Sequence, residues 1–137
     1  MIWDQKTSLL RADRPATNVL GAIAYVAWLL SDNQKGRRLL LIFTDGRQTT
    51  NGINFEKLSE IDSRSILPQL RRRHLIPKLQ AVEVFLLGVH MAGKDHAYIH
   101  SLREFYVKYF EEAEAVLRGF WPTEKEWDTY MELNSQR

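Results

Sequence analysis

The sequence predicts an α/β protein, a short parallel three-stranded sheet flanked by helices. Two unbroken apolar runs, Leu39–Phe43 and Val84–Leu87, are each closed by turn residues, the mark of strands buried on both faces. Helix-periodic segments separate them. Strands and helices therefore alternate along the chain, which is the order a parallel sheet requires.

Met1–Ala16 has no clear period and reads as an arm or loop over residues 1–15. A helix follows over Val19–Leu30, with Thr17 or Asn18 as its cap. Apolar residues surround it, so more than one side is expected to be covered. Gly21 and the alanines near it allow close approach to a sheet. Gly36 leads into the central strand, Arg38–Thr44, which Asp45-Gly46 stops. The polar loop Arg47–Gly52 carries turn signals, and Phe55–Ile61 fits a short helix. Pro68 and Pro77 break Ser63–Leu79 into one kinked helix or two short ones. Ala81–Val89 reads as the second strand and Met91–His96 as a loop. Asp95 caps a helix over His96–Glu112, on which Ile99, Leu102, Phe105, Tyr106, Tyr109 and Phe110 recur at helical spacing. Glu114–Phe120 is the third strand. Thr123-Glu-Lys-Glu126 is a capping-box pattern opening a last helix to about Leu133, with Trp127, Tyr130 and Met131 as its buried stripe.

At 137 residues the chain fits a single domain. A formal charge of +2, from 19 basic and 17 acidic residues, sets up no field that would draw nucleic acid. With no cysteine, disulfides, thiol chemistry and Cys-ligated zinc are excluded. Val19–Leu30 is too short to span a bilayer, which takes about 20 residues. No small-residue cleavage site follows it, so a cytoplasmic protein without a membrane partner is expected.

The run Leu-Leu-Leu-Ile-Phe-Thr-Asp45-Gly46, with Thr17 ahead of a helix upstream, resembles the von Willebrand factor A domain. Val82–Val89 with Gly88, and the helix leading into Glu114–Phe120, are similar to that family's last two strand units. The likeness covers about residues 15–135 and only the second half of the fold. The family's first three strands have no counterpart before Thr17, and its Asp-x-Ser-x-Ser element is absent. The resemblance implies a non-catalytic protein-interaction module with Asp45, Gly46, Thr17 and Arg47 lining a ligand site. It also implies that Asp45 and Thr17 are what remains of a magnesium or manganese site, incomplete within one chain because the ion asks for near-octahedral oxygen coordination. With the family's first strand missing, one edge of strand 38–44 would be unpaired, and a homodimer through that strand is expected to cover it, the alternatives being residues 1–14 folded over the edge or another protein. A proline at Leu40 is the perturbation this expectation suggests. A metal-dependent binding module completed by a partner chain is the alternative. A small hydrolase using Asp45 and His90 is a third reading.

From the residues alone, Asp45 is either a ligand at the carboxyl end of a strand or the first residue of a turn, and Thr17 is either a cap or a ligand. His96 and His100 share a helix face, with His90 nearby, but no acidic residue completes a metalloprotease pattern. Arg71-Arg72-Arg73-His74 with Lys78 is the densest basic patch, and without interleaved aromatics it reads as a solvated helix end. There is no nucleophile elbow or phosphate loop. The chain is not expected to be an enzyme.

Overall fold

A computed structural model describes residues 17–31, 35–50, 52–90, 92–123 and 125–135. The arm expected over residues 1–15 lies outside them. The elements run α1 (Val19–Leu30), β1 (Leu39–Phe43), a single 3₁₀ turn (Phe55–Lys57), α2 (Ser63–Arg72), β2 (Glu83–Leu87), α3 (His96–Glu112), β3 (Val116–Trp121) and α4 (Lys125–Ser135). The strands form one parallel sheet in the order β1-β2-β3. The α/β architecture of a short parallel sheet flanked by helices is as the sequence predicts. Among the described residues no helix is long and apolar enough to cross a membrane.

Alternation along the strands separates two faces. Val84 and Leu86 point into a core shared with α1, α2 and α3, and Leu40, Ile42, Leu117 and Phe120 pack against it. Leu102, Phe105, Tyr106, Tyr109 and Phe110 line α3 and are buried there, as their spacing predicts, whereas Ile99 is only half-buried and Tyr98, outside the predicted stripe, is fully buried. On the opposite face Phe85 meets Trp121, Trp127 and Tyr130, with ring centroids 4.7–5.9 Å away. Gly119 makes this cluster fit, since a Cβ there would stand 2.9 Å from the Trp121 ring and 3.0 Å from Phe85. A register shift between Val84 and Phe85 accompanies the step in β3 from Leu117 to Gly119.

Several boundaries differ from expectation. Helix α2 ends at Arg72 because His74 takes a left-handed conformation, φ 56°. The amide of Leu75 then bonds the carbonyl of Leu70 and that of His74 bonds Arg71, a Schellman closure. The stretch 75–79 is not helical. Glu114 at φ 61° closes α3 in the same way, which moves the start of β3 from Glu114 to Val116. The helix expected over Phe55–Ile61 is only the 3₁₀ turn. Met131, expected in the stripe of α4, is 44% exposed, whereas Trp127 and Tyr130 are half-buried against Phe85.

The largest correction concerns the central strand. All of β2 is buried, and β2 is the middle strand. Among the described residues β1 pairs with β2 alone, so one of its edges is unpaired as expected, but it is not buried on both faces, because Phe43 is 68% exposed. Helix α1 is likewise covered on one side only. Val19, Leu20, Ile23 and Ala27 are buried, while Tyr25, Trp28 and Leu29 are more than half exposed.

Candidate interaction site

The ladder hydrogen bonds decide which backbone groups of β1 are used. The amide of Glu83 bonds the carbonyl of Arg38, and the amide of Thr44 bonds the carbonyl of Leu87. With Leu39 level with Glu83 and Phe43 level with Leu87, the even-numbered residues of β1 address β2. Leu39, Leu41 and Phe43 therefore direct their N–H and C=O groups away from the sheet. Among the described residues no strand pairs with them.

Beside this edge lies a groove of about 570 Å³ between β1 and α1. Val19, Ala22, Ile23 and Val26 form one wall and the strand from Leu40 to Thr44 the other, with Thr17 and Asn18 at the end. No titratable side chain lines it. On the solvent side of the groove, Tyr25 and Leu29 continue the stripe begun by Ala22 and Val26, in the i, i+3, i+4, i+7 pattern of one helix flank. The apolar surface thus extends from the strand edge onto the helix.

The loop after β1 is tied down from several sides. Thr44 Oγ1 accepts the amide of Gly46 at 3.0 Å, and Asp45 Oδ1 accepts the amide of Arg47 at 2.9 Å. Both are side-chain turns that end a strand. Gly46 has φ +78°, and its carbonyl accepts the hydroxyl of Tyr106 at 2.6 Å. Arg47 turns inward and is 5% exposed. Its guanidinium donates to the carbonyls of His90 and Ala92, both at 2.9 Å, pairs with Glu56 at 3.3 Å and lies 5.5 Å from the Tyr98 ring centre. Its Nε, buried, has no hydrogen-bond partner among the described residues. Burial pushes the Tyr98 hydroxyl up to about 12, against the opposing pull of Arg47, and burial raises Tyr106 well above the ordinary phenol value. Arg47 in this position clamps the loop after β1 to the loop after β2.

Gln48 holds the start of α1. Fully buried, its Oε1 accepts the amide of Leu20, and its Nε2 donates to Asn18 Oδ1 and Thr50 Oγ1. Asn18, the helix cap, accepts from Gly21. Two side chains thus satisfy amides in the first turn, one of them from 28 residues away. No sequence signal marks this role. Thr17, next to the cap, exchanges backbone and hydroxyl bonds with Thr49.

The structure therefore joins Asp45, Gly46 and Arg47 in one loop and ties Thr17 to its far end. Thr17 lines the groove beside β1. Asp45 lines a different cleft, about 500 Å³, with Gly88, Pro122 and Thr123 at the carboxyl ends of the strands. Among the described residues no three His, Asp or Glu side chains cluster to hold a metal ion. A threonine on one cavity wall and a carboxylate on another do not make the oxygen cage that magnesium or manganese requires. His90 Nδ1 accepts the amide of Ala92, and His96 and His100 are exposed on α3. In the basic patch, Arg71 is paired with Glu112.

At the amino end of the sheet Glu83, 8% exposed, accepts from Arg37 at 3.0 Å and Arg118 at 3.2 Å. Hydrogen bonding to Arg37, more than Arg118, holds this carboxyl below its usual range, against the effect of burial. Comparison with protein-family models, curated proteins and solved structures finds no significant match to this chain.

Proposed function

We propose that this chain is a non-catalytic protein-interaction module, of the kind its likeness to the second half of a von Willebrand factor A domain implies, and that it self-assembles through the edge of β1 with which no strand among the described residues pairs. One observation carries the reading: the outward groups of Leu39, Leu41 and Phe43 lie beside an apolar groove and a bare apolar stripe on α1. Edge strands are usually blunted by charge, proline or a bulge, and between Leu39 and Phe43 there is none of these. In strand addition, main-chain bonds supply affinity and neighbouring pockets receive side chains. The described lining of the groove is apolar apart from Thr17, Asn18 and Thr44 and carries no titratable side chain, which suits binding.

The discriminating variant is Leu41→Pro. Proline at Leu40 would remove an amide that bonds β2, whereas proline at Leu41 removes only an outward one. Light scattering is expected to give the wild type a mass above the 16.1 kDa of one chain, unchanged by magnesium or chelator, and to return Leu41→Pro to one chain. A single-chain mass for the wild type, or an associated mass that Leu41→Pro leaves intact, refutes the reading.

A further inference from the structure

We infer that the occupant of the β1 edge is β1 of a second copy, antiparallel, with the two-fold axis passing through Leu41. The inference rests on the self-assembly proposed above and adds its geometry. In this register Leu41 faces Leu41 of the second copy, and Leu39 faces its Phe43. These are the residues whose N–H and C=O groups point outward, so each pair exchanges both bonds and every outward group of β1 finds a partner. Moving the axis to Leu40 leaves Phe43 with no strand residue opposite. Moving it to Ile42 does the same to Leu39.

Charge favours the same register. Arg37 and Asp45 flank the strand at equal sequence distances from Leu41, so this register brings the end of each strand where Arg37 pairs with Glu83 toward the Asp45 turn of the other copy. Arg37 is exposed and Asp45 half-exposed. The two-fold axis stands normal to the sheet, because residues opposite each other in an antiparallel pair share a face. Both α1 helices then lie on one side of a continuous six-stranded sheet, built from two sheets of three. Their Tyr25 and Leu29 stripes flank the seam, and on the other side Leu39 and Phe43, both exposed, each meet the other residue of the second copy. An isologous contact of this kind needs one self-complementary patch, which edge, stripe and charge together provide.

Because the chain has no cysteine, single substitutions report the register cleanly. Residues opposite each other in a bonded antiparallel pair have Cα atoms about 5.5 Å apart, within disulfide range. Identical residues two places from the axis lie about 14 Å apart, out of range. Under mild oxidation of the full chain, Leu41→Cys is expected to cross-link to itself, doubling the mass on a non-reducing gel. Leu39→Cys and Phe43→Cys are each expected to stay single and to cross-link only when mixed. The mixed pair keeps Leu41, so it reads the register even where a change at Leu41 weakens the fold. Self-cross-linking of Phe43→Cys, or none in the mixed pair, overturns the inference. If Leu41→Pro still dissolves the assembly, that failure concerns the register alone. An assembly indifferent to Leu41→Pro sinks the edge reading itself.

Discussion

Removing one hydroxyl from the core tests how the loop after β1 is held. Tyr106 donates to the carbonyl of Gly46 at 2.6 Å, and both residues are buried. Tyr106→Phe keeps the ring and its contacts with Phe105, Tyr109, Phe110 and Phe120, so no cavity opens. What is lost is the donor, which leaves a buried carbonyl unsatisfied at a cost of about 1–3 kcal/mol. In a domain of this size each kcal/mol lowers the midpoint by roughly 3–5 °C. Urea unfolding monitored by circular dichroism is expected to show a lower midpoint with an unchanged slope. Amide exchange of Arg47, which bonds Asp45, is expected to accelerate. A variant within about 0.5 kcal/mol of wild type, with unchanged exchange at Arg47, would refute the view that Tyr106 anchors this loop.

Two further substitutions probe the rest of the framework. The folded-state pKa of Glu83 is held below its unfolded value, about 4.3, so its contribution is present above that value and is lost as pH falls through the folded pKa. Glu83→Gln is therefore expected to be less stable by about 1–3 kcal/mol near neutral pH and to converge with wild type in acid. Parallel pH–stability curves for the two proteins would contradict this. Gly88, at φ +108°, brings its backbone against Thr44, whose carbonyl oxygen would stand 3.1 Å from an added Cβ. Gly88→Ala is expected to cost about 1–3 kcal/mol in thermal unfolding, and no loss would mean that the turn relaxes without strain.

Much of the framework is legible in the residues. The apolar runs mark β1 and β2, Asp95 and the aromatic spacing mark α3 to its ends, and the pair Thr17-Asn18 marks the start of α1, with Asn18 proving to be the cap. The end of α2 is not legible, because His74 adopts the conformation that glycine or asparagine usually signals. An apolar run also does not distinguish a strand with two neighbours from one with a single neighbour in its own chain. That is why the run itself reads as a central strand although β2 occupies the middle, and only the resemblance to half of a larger fold points to an unpaired edge. Around the candidate site, Asp45-Gly46 announces a turn, but the burial of Arg47 and the distant cap from Gln48 depend on where the loops meet. Those contacts are tertiary. The local sequence has no pattern for them.

If β1 joins β1 of a second copy, its outward row is hydrogen-bonded in the assembled protein. Amide exchange resolved residue by residue by NMR, at high and low protein concentration, tests it directly. The amides of Leu39, Leu41 and Phe43 are expected to exchange slowly at high concentration and quickly on dilution, while those of Leu40 and Ile42, bonded to β2, stay slow throughout. Fast exchange of Leu39, Leu41 and Phe43 at every concentration, or protection that dilution does not change, would contradict it.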